Sequence, residues 1–271
     1  MFDTHIHSHH SHDSRQSVEE ICLAAIQKGV RGVAITDHVD MWYIEERNTV
    51  REILQCIEEV RITKEKYRDQ LKVLQGIELA EYDFDRKNAQ EFLRYTDYDV
   101  IIGSVHCVEY ADFKGGYSTF DFGSSQSIEK IYGFLHLYFA LMKKMIEDAD
   151  FDVLAHLTCP FRYINGKYHR GIQDTLFAEE IEEILVAIVK KGIALEVNTS
   201  GIGSSYGDWL PGEWIISRYY TLGGRLVTIG SDAHVSEGIG NAFEETKAML
   251  RKIGFLEYYY YEKRKPIKVK L

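Results

Sequence analysis

The sequence predicts an α/β fold of parallel strands joined by helical crossovers, and three observations predict it. Apolar runs of strand length alternate with longer segments of helical period along nearly all of the 271 residues. Only three prolines and no Gly/Ser linker interrupt the alternation, so residues 1–271 are expected to form a single domain. Histidines and carboxylates recur just after the strand-length runs, the edge at which parallel α/β folds build their sites. Right-handed crossovers of this kind close into a barrel or spread into a doubly wound sheet, and the alternation alone does not choose.

The first run, Met1 to His7, sets Phe2 and Ile6 against Asp3, His5 and His7 with the period of a strand. A hexahistidine tag would carry no such pattern. Ser17 to Lys28 has helical period; Ser17 with Glu20 makes a capping box, and Gly29 stands where the helix should stop. Gly32 to Thr36 is the second strand, Thr49 to Tyr67 a helix, Lys72 to Leu79 the third strand, Asn88 to Tyr95 a helix and Val100 to Ser104 the fourth strand. Ser127 to Ala149 is a long helix before the fifth strand, Val153 to His156. A helix over Asp174 to Lys191, stopped by Gly192, leads to the sixth strand, Ala194 to Asn198. Glu213 to Leu222, stopped by Gly223, leads to the seventh, Leu226 to Gly230, and Asn241 to Ile253 is the last helix. The tail EYYYYEKRKPIKVKL is expected to pack or pair on the outside of the body, its charged run facing solvent.

Composition narrows the function. With 45% hydrophobic and 13% aromatic residues the chain can bury a full core. A net charge of -10 and a pI near 5.6 disfavour a binder of nucleic-acid backbones and favour a small substrate. Cys22, Cys56, Cys107 and Cys159 lie apart among apolar neighbours, as reduced core thiols of a cytoplasmic protein would. No apolar run approaches the roughly 20 residues that span a membrane.

Metal-ligating residue types fall at the carboxyl ends of the predicted strands. They are His5 and His7, Asp13 in the following loop, His38 of ITDH, Glu78 of GIE, His106 of GSVH, His156, and Asp232 with His234 of GSDAH. A lone HxH is weak evidence, since a solitary histidine is usually a hydrogen-bonded core or surface residue; nine such residues on one rim form a specific pattern. Imidazole with carboxylate and no cysteine suits Zn, Mn or Fe rather than a structural thiolate site. Nine ligands exceed the needs of one ion, so two to three divalent ions are expected.

The motifs DTHIHSHHSHDS, ITDH, GIE, GSVH, VLAHLT, EVNTSG and GSDAH resemble, in order, those of the PHP (polymerase and histidinol phosphatase) family. The resemblance implies a distorted seven-stranded (β/α) barrel with a trinuclear metal centre at the carboxyl ends of the strands. It implies that His5, His7, Glu78 and Asp232 hold one ion, that Glu78 bridges to a second on His106 and His156, and that Asp13, His38 and His234 hold the third. A free-standing chain of this size resembles the histidinol-phosphate phosphatase branch. The implied reaction is hydrolysis of a phosphate monoester, L-histidinol phosphate, in histidine biosynthesis. A hydroxide bridging two ions attacks phosphorus in line, and Asp232 or a metal-bound water protonates the leaving alkoxide.

Phosphate recognition calls for a cation on the same rim. Arg162 is the best placed, with Lys167 and Arg170 in the same loop; the simpler reading of each is a solvated loop cation. The sequence departs from the resembled branch at NTSGIGSS, where Gly203 stands in place of an arginine. His9, His10 and His12 read as loop residues or supports of the ligands, His136 as a packed or surface helix residue, and His169 as a loop residue. Asp37 and Asn198 read as ligand-orienting groups or as caps. Trp42 and Tyr43 read as packing, or as flanks of an aromatic substrate moiety. Three other functions are weighed: a phosphodiesterase of the same family, disfavoured by the acidic balance; an amidohydrolase-like carbon-nitrogen hydrolase, which commonly carries a bridging lysine where Glu78 stands; and a non-catalytic metal-binding protein, disfavoured by the complete ligand set.

Overall fold

The structure, a computed structural model, describes residues 1–44 and 48–271. In chain order the elements are β1 (Phe2–Ile6), α1 (Val18–Gln27), β2 (Gly32–Ile35), β3 (His38–Asp40), α2 (Thr49–Lys66), β4 (Lys72–Ala80), α3 (Arg86–Phe92) and β5 (Val100–Ser104). There follow β6 (Cys107–Tyr110), β7 (Phe113–Gly116), α4 (Ile128–Asp148), β8 (Val153–Leu154), the single turn α5 (Cys159–Phe161) and α6 (Ala178–Lys191). The chain ends with β9 (Ala194–Asn198), α7 (Glu213–Thr221), β10 (Val227–Gly230), α8 (Phe243–Ile253), β11 (Glu257–Glu262) and β12 (Lys265–Lys270).

Strands pair in parallel in the order β1-β2-β4-β5-β8-β9-β10, and short β3 adds to β4 beyond the end of β2. The last strand meets the first only at its end: Ile6 bridges Ala233, and the Asp232 N–H donates to the His5 carbonyl at 2.8 Å. The result is a nearly closed seven-stranded barrel, which resolves the choice left by the alternation. Its strands are buried almost without interruption, as expected when helices cover a parallel sheet and side chains fill its interior.

The predicted crossover helices form where helical period places them. α1 begins with the capping box at Ser17, whose hydroxyl accepts from Glu20 N while Glu20 accepts from Ser17 N. α4 buries Ile131, Phe134, Leu135, Tyr138, Phe139, Met142, Met145 and Ile146 on one stripe against the barrel. Removing one such ring, as in Phe134→Ala, costs about 3–5 kcal/mol. The segment from Asp174 differs from expectation in starting as a 3-10 turn through Phe177, with the α-helix beginning at Ala178. The four cysteines are free and buried. No helix among the described residues is long and apolar enough to cross a membrane.

Two hairpins lie outside the alternation. β6 and β7, followed by a 3-10 turn over Tyr117–Thr119, rise from the carboxyl mouth beside His106. β11 and β12 form the tail, which does more than lie on the outside: it floors the amino mouth. Tyr260 stacks on Phe2 with ring centroids 4.0 Å apart, and the Tyr258 hydroxyl accepts from Phe2 N. Glu262 pairs with Lys72, Lys263 N donates to Asp99, and Arg264 reaches Asp150 and Asp152, all partners at or just before strand starts.

Candidate metal centre

All nine predicted ligands converge at the carboxyl mouth. His5 and His7 lie on the same side of the chain as β1 ends, because residues two apart in a strand share a face. Their Nε2 atoms stand 3.0 Å apart. The Nδ1 of His5 lies 2.7 Å from Glu196 Oε1, a carboxylate that can only accept, so that nitrogen carries the hydrogen. Ser11 Oγ donates to Asp37 and therefore receives from His7 Nδ1 at 3.1 Å. With those hydrogens on Nδ1, the two facing Nε2 atoms must share a cation. In the metal-free cluster it is a proton, since burial of His5 is outweighed by Glu196, Glu78 and Asp232, which raise it well above its usual range; a metal ion can take its place.

The same logic holds around Glu78, near the end of β4 and fully buried. Its Oε2 has no hydrogen-bond partner, yet His38 Nδ1, His5 Nε2 and His7 Nε2 lie 3.0, 3.4 and 3.5 Å from it. Its Oε1 meets His156 Nε2 at 2.8 Å and His106 Nε2 at 3.2 Å. His106 directs Nδ1 to Asp40 at 3.1 Å, which turns its Nε2 toward Glu78. His234 gives its Nδ1 hydrogen to the Asp232 carbonyl at 2.9 Å, which places Nε2 3.2 Å from Asp13 Oδ2. Asp232 Oδ1 is 3.3 Å from His7 Nε2, and Asp13 Oδ1 is 3.6 Å from His38 Nε2.

Two ligands around a tetrahedral zinc with bonds near 2.0–2.1 Å stand about 3.3 Å apart. The observed spacings cluster about that value, and the donors are imidazole and carboxylate only, so the residues fit divalent ions.

Burial and charge set the protonation of the metal-free cluster. Burial opposes the charge of Glu78 and of Asp232, but the surrounding histidines outweigh it and hold both carboxyls well below the usual range. Burial also opposes the charge of His38, yet Asp40 and Glu78 raise it to about 10. His7, buried beside His38 and His234, is driven down to about 3. Two of these groups sit on left-handed backbone, His156 at φ 22° and Asp232 at φ 54°, a conformation that side-chain-bearing residues adopt at a cost and that recurs at functional sites.

The predicted supports fall as follows. Asp37 accepts from Ser8, Ser11 and Cys56 and so ties the loop after β1 to the start of β3. Asn198 donates to Glu196 and accepts from Ser200. Arg162, in the π-helical turn over Arg162–Lys167, lines an open cleft of about 230 Å³ above the cluster and donates to Ser200 Oγ at 2.8 Å. Arg170 instead donates to the Phe122, Gly123 and Gln126 carbonyls, and Lys167 lies over the Tyr168 ring. Tyr43, Tyr117 and Tyr163 line the cleft, whereas Trp42 packs on Phe84 in a neighbouring hollow. His12 also lines the cleft beside Asp13 and His38, while His136 pairs with Glu180 on the surface.

Sequence reasoning missed two contributors. Glu196 accepts from His5 Nδ1 and from His156 N, and Asp40 orients His106. A glutamate in the otherwise apolar strand ALEVN was the available signal for the first; Asp40, two residues past His38, offered none.

Residues 3–200 match the PHP domain family. The chain is 32% identical over 271 residues to a probable histidinol-phosphatase of Thermotoga maritima, with 100% of both chains covered. It is 31% identical over 268 residues to a probable histidinol-phosphatase of Clostridium acetobutylicum, covering 97% of this chain and 98% of that one. The fold matches, at a TM-score of 0.78 and 22% identity over 98% of both chains, that of the histidinol phosphate phosphatase of Lactococcus lactis subsp. lactis solved with zinc, L-histidinol and phosphate.

Proposed function

Because this chain belongs to the PHP domain family, we propose that it is a metal-dependent phosphomonoesterase that hydrolyses L-histidinol phosphate to L-histidinol and phosphate. The observation that carries the proposal is Glu78: one buried carboxylate faces five histidines at the floor of a cleft that also holds an arginine. No thiol or hydroxyl takes the place of those ligands, and paired carboxylates alone would not need five imidazoles around them.

His5, His7, Glu78 and Asp232 would hold one ion; Glu78, His106 and His156 a second; Asp13, His38 and His234 a third, all drawn from Zn, Mn and Fe. Ions bound there lower the pKa of water to near neutrality and offset charge on the phosphoryl oxygens. Arg162, fixed by Ser200 and by the ring of Tyr163, presents its guanidinium to two of those oxygens. Asp232, whose Oδ2 lies 3.5 Å from Ser200 Oγ, or a water on one of the ions would protonate the leaving oxygen. Tyr43, Tyr117 and Tyr163 form the aromatic wall against which the leaving group's ring packs.

The test is phosphate release from a panel of monoesters that includes L-histidinol phosphate, with a diester added, on protein of measured metal content. Histidinol phosphate is expected to exceed the others in kcat/KM by orders of magnitude. A flat profile, or a preference for the diester, overturns the substrate assignment.

A further inference from the structure

Beyond the central cluster, the loop after β1 carries the adjacent pair His9 and His10, which face Glu59 on α2. We infer that His9, His10 and Glu59 form a second, outer site for a borderline divalent ion such as zinc. Nε2 of His10 lies 2.8 Å, and Nε2 of His9 3.7 Å, from the same oxygen, Glu59 Oε2. These separations bracket the roughly 3.3 Å expected between ligands of a tetrahedral zinc. Two imidazoles and one carboxylate are a zinc ligand set that leaves a position for water, and they disfavour calcium or magnesium, which take oxygen.

The three groups are held before any ion arrives. Glu59 Oε1 accepts from Val18 N at 3.1 Å, which fixes the carboxylate and turns Oε2 to the histidines. His9 N donates to the Gln16 carbonyl at 2.7 Å and His10 N to Ser8 Oγ at 3.3 Å, which fixes the backbone of both. A simple hydrogen bond accounts for His10 but not for His9. The His9 side chain is 42% exposed and could point into water, yet its ring stands 4.2 Å from that of His10 and its Nε2 is turned to the same oxygen.

An ion at this site clamps the loop to α2. The same loop continues to Ser11 and Asp13, but Ser11 is anchored by Asp37 and Asp13 lies against His38 and His234, so the central cluster keeps its own supports when the outer ion is lost. The inference does not rest on the proposed reaction.

The experiment titrates zinc into metal-free full-length chain in competition with a chromophoric chelator and compares the parent with His9→Asn and Glu59→Gln. His9→Asn changes an exposed position and serves where Glu59→Gln loosens the packing of α2. The parent is expected to bind one equivalent more than either variant, with kcat/KM of the zinc-loaded proteins within about twofold. Equal stoichiometry and affinity in all three proteins overturns the site. Loss of activity in step with the lost equivalent also overturns it, because the missing ion would then be a central one. If the chain proves inactive on every ester, the zinc count still decides.

Discussion

Glu196 reaches His5 from beneath the metal cluster: Oε1 lies 2.7 Å from Nδ1 of His5, and the other oxygen accepts the main-chain N–H of His156 at 2.8 Å. One carboxylate thus orients the imidazole of one ligand and holds the left-handed backbone of another.

Glu196→Gln is therefore expected to lower affinity for the central ions by about 10–100-fold while the chain stays folded. Chelator competition measures it; unchanged affinity would remove Glu196 from the centre.

His5→Ala and Asp232→Asn each remove a group that no neighbour replaces. Both are expected to lower phosphate-ester hydrolysis by orders of magnitude in a protein that stays folded by circular dichroism. Full activity in either variant sinks the ligand assignment.

Arg162 lines the cleft and directs its hydrogen bonds to Ser200 and Tyr163, so its loss should weaken substrate binding more than chemistry. Arg162→Ala is expected to raise KM at least tenfold with a smaller fall in kcat, and steady-state kinetics with an unchanged KM would exclude it from the phosphate site.

His38 supplies a pH dependence of two opposite signs. Its folded value near 10 lies above the ordinary 6.5, so in metal-free protein its contribution to stability is complete below 6.5 and is lost as pH rises toward 10. An ion must displace that proton, so zinc affinity should instead rise with pH over the same window, with proton release visible as a buffer-dependent heat of binding. His7, already neutral, releases none. Calorimetry in two buffers of different ionisation heat checks this, and identical heats would contradict it.

Arg264 neutralises Asp152, which burial pushes upward, and also pairs with exposed Asp150. Arg264→Ala leaves Asp152 buried without its cation and is expected to cost roughly 1–3 kcal/mol, seen as a Tm lower by about 2–5 °C. A Tm within a degree of the parent would show that the floor holds without this pair.

Most of the barrel was legible because its strands and crossover helices carry their own periodicities, and the ligands because each lies near the carboxyl end of a strand or in the loop after it. What escaped was local or long-range. The three residues of β3 are too few to show a period, and pairing of His38–Asp40 with β4 is decided by the barrel. The β6–β7 hairpin was hidden because Glu109, Tyr110 and Lys114 alternate only weakly, and turn geometry fixes its register. The tail read as surface because its charges dominate, although Tyr258, Tyr260 and Tyr261 are buried. The positive φ of His156 and Asp232 is imposed by neighbours distant in sequence. Glu196, one polar residue on an apolar strand, shows its role only when β1 and β8 are beside it.

The tyrosine-rich hairpin that floors the barrel follows every candidate metal ligand along the chain. A chain cut after Phe255 would therefore keep every candidate ligand while baring Phe2 and freeing Asp99 and Asp152 from Lys263 and Arg264. Metal capacity and the sealing of the barrel's base are thus written in separate stretches of the chain, and such a truncation should lower thermal stability far more than it lowers the number of ions the chain can hold.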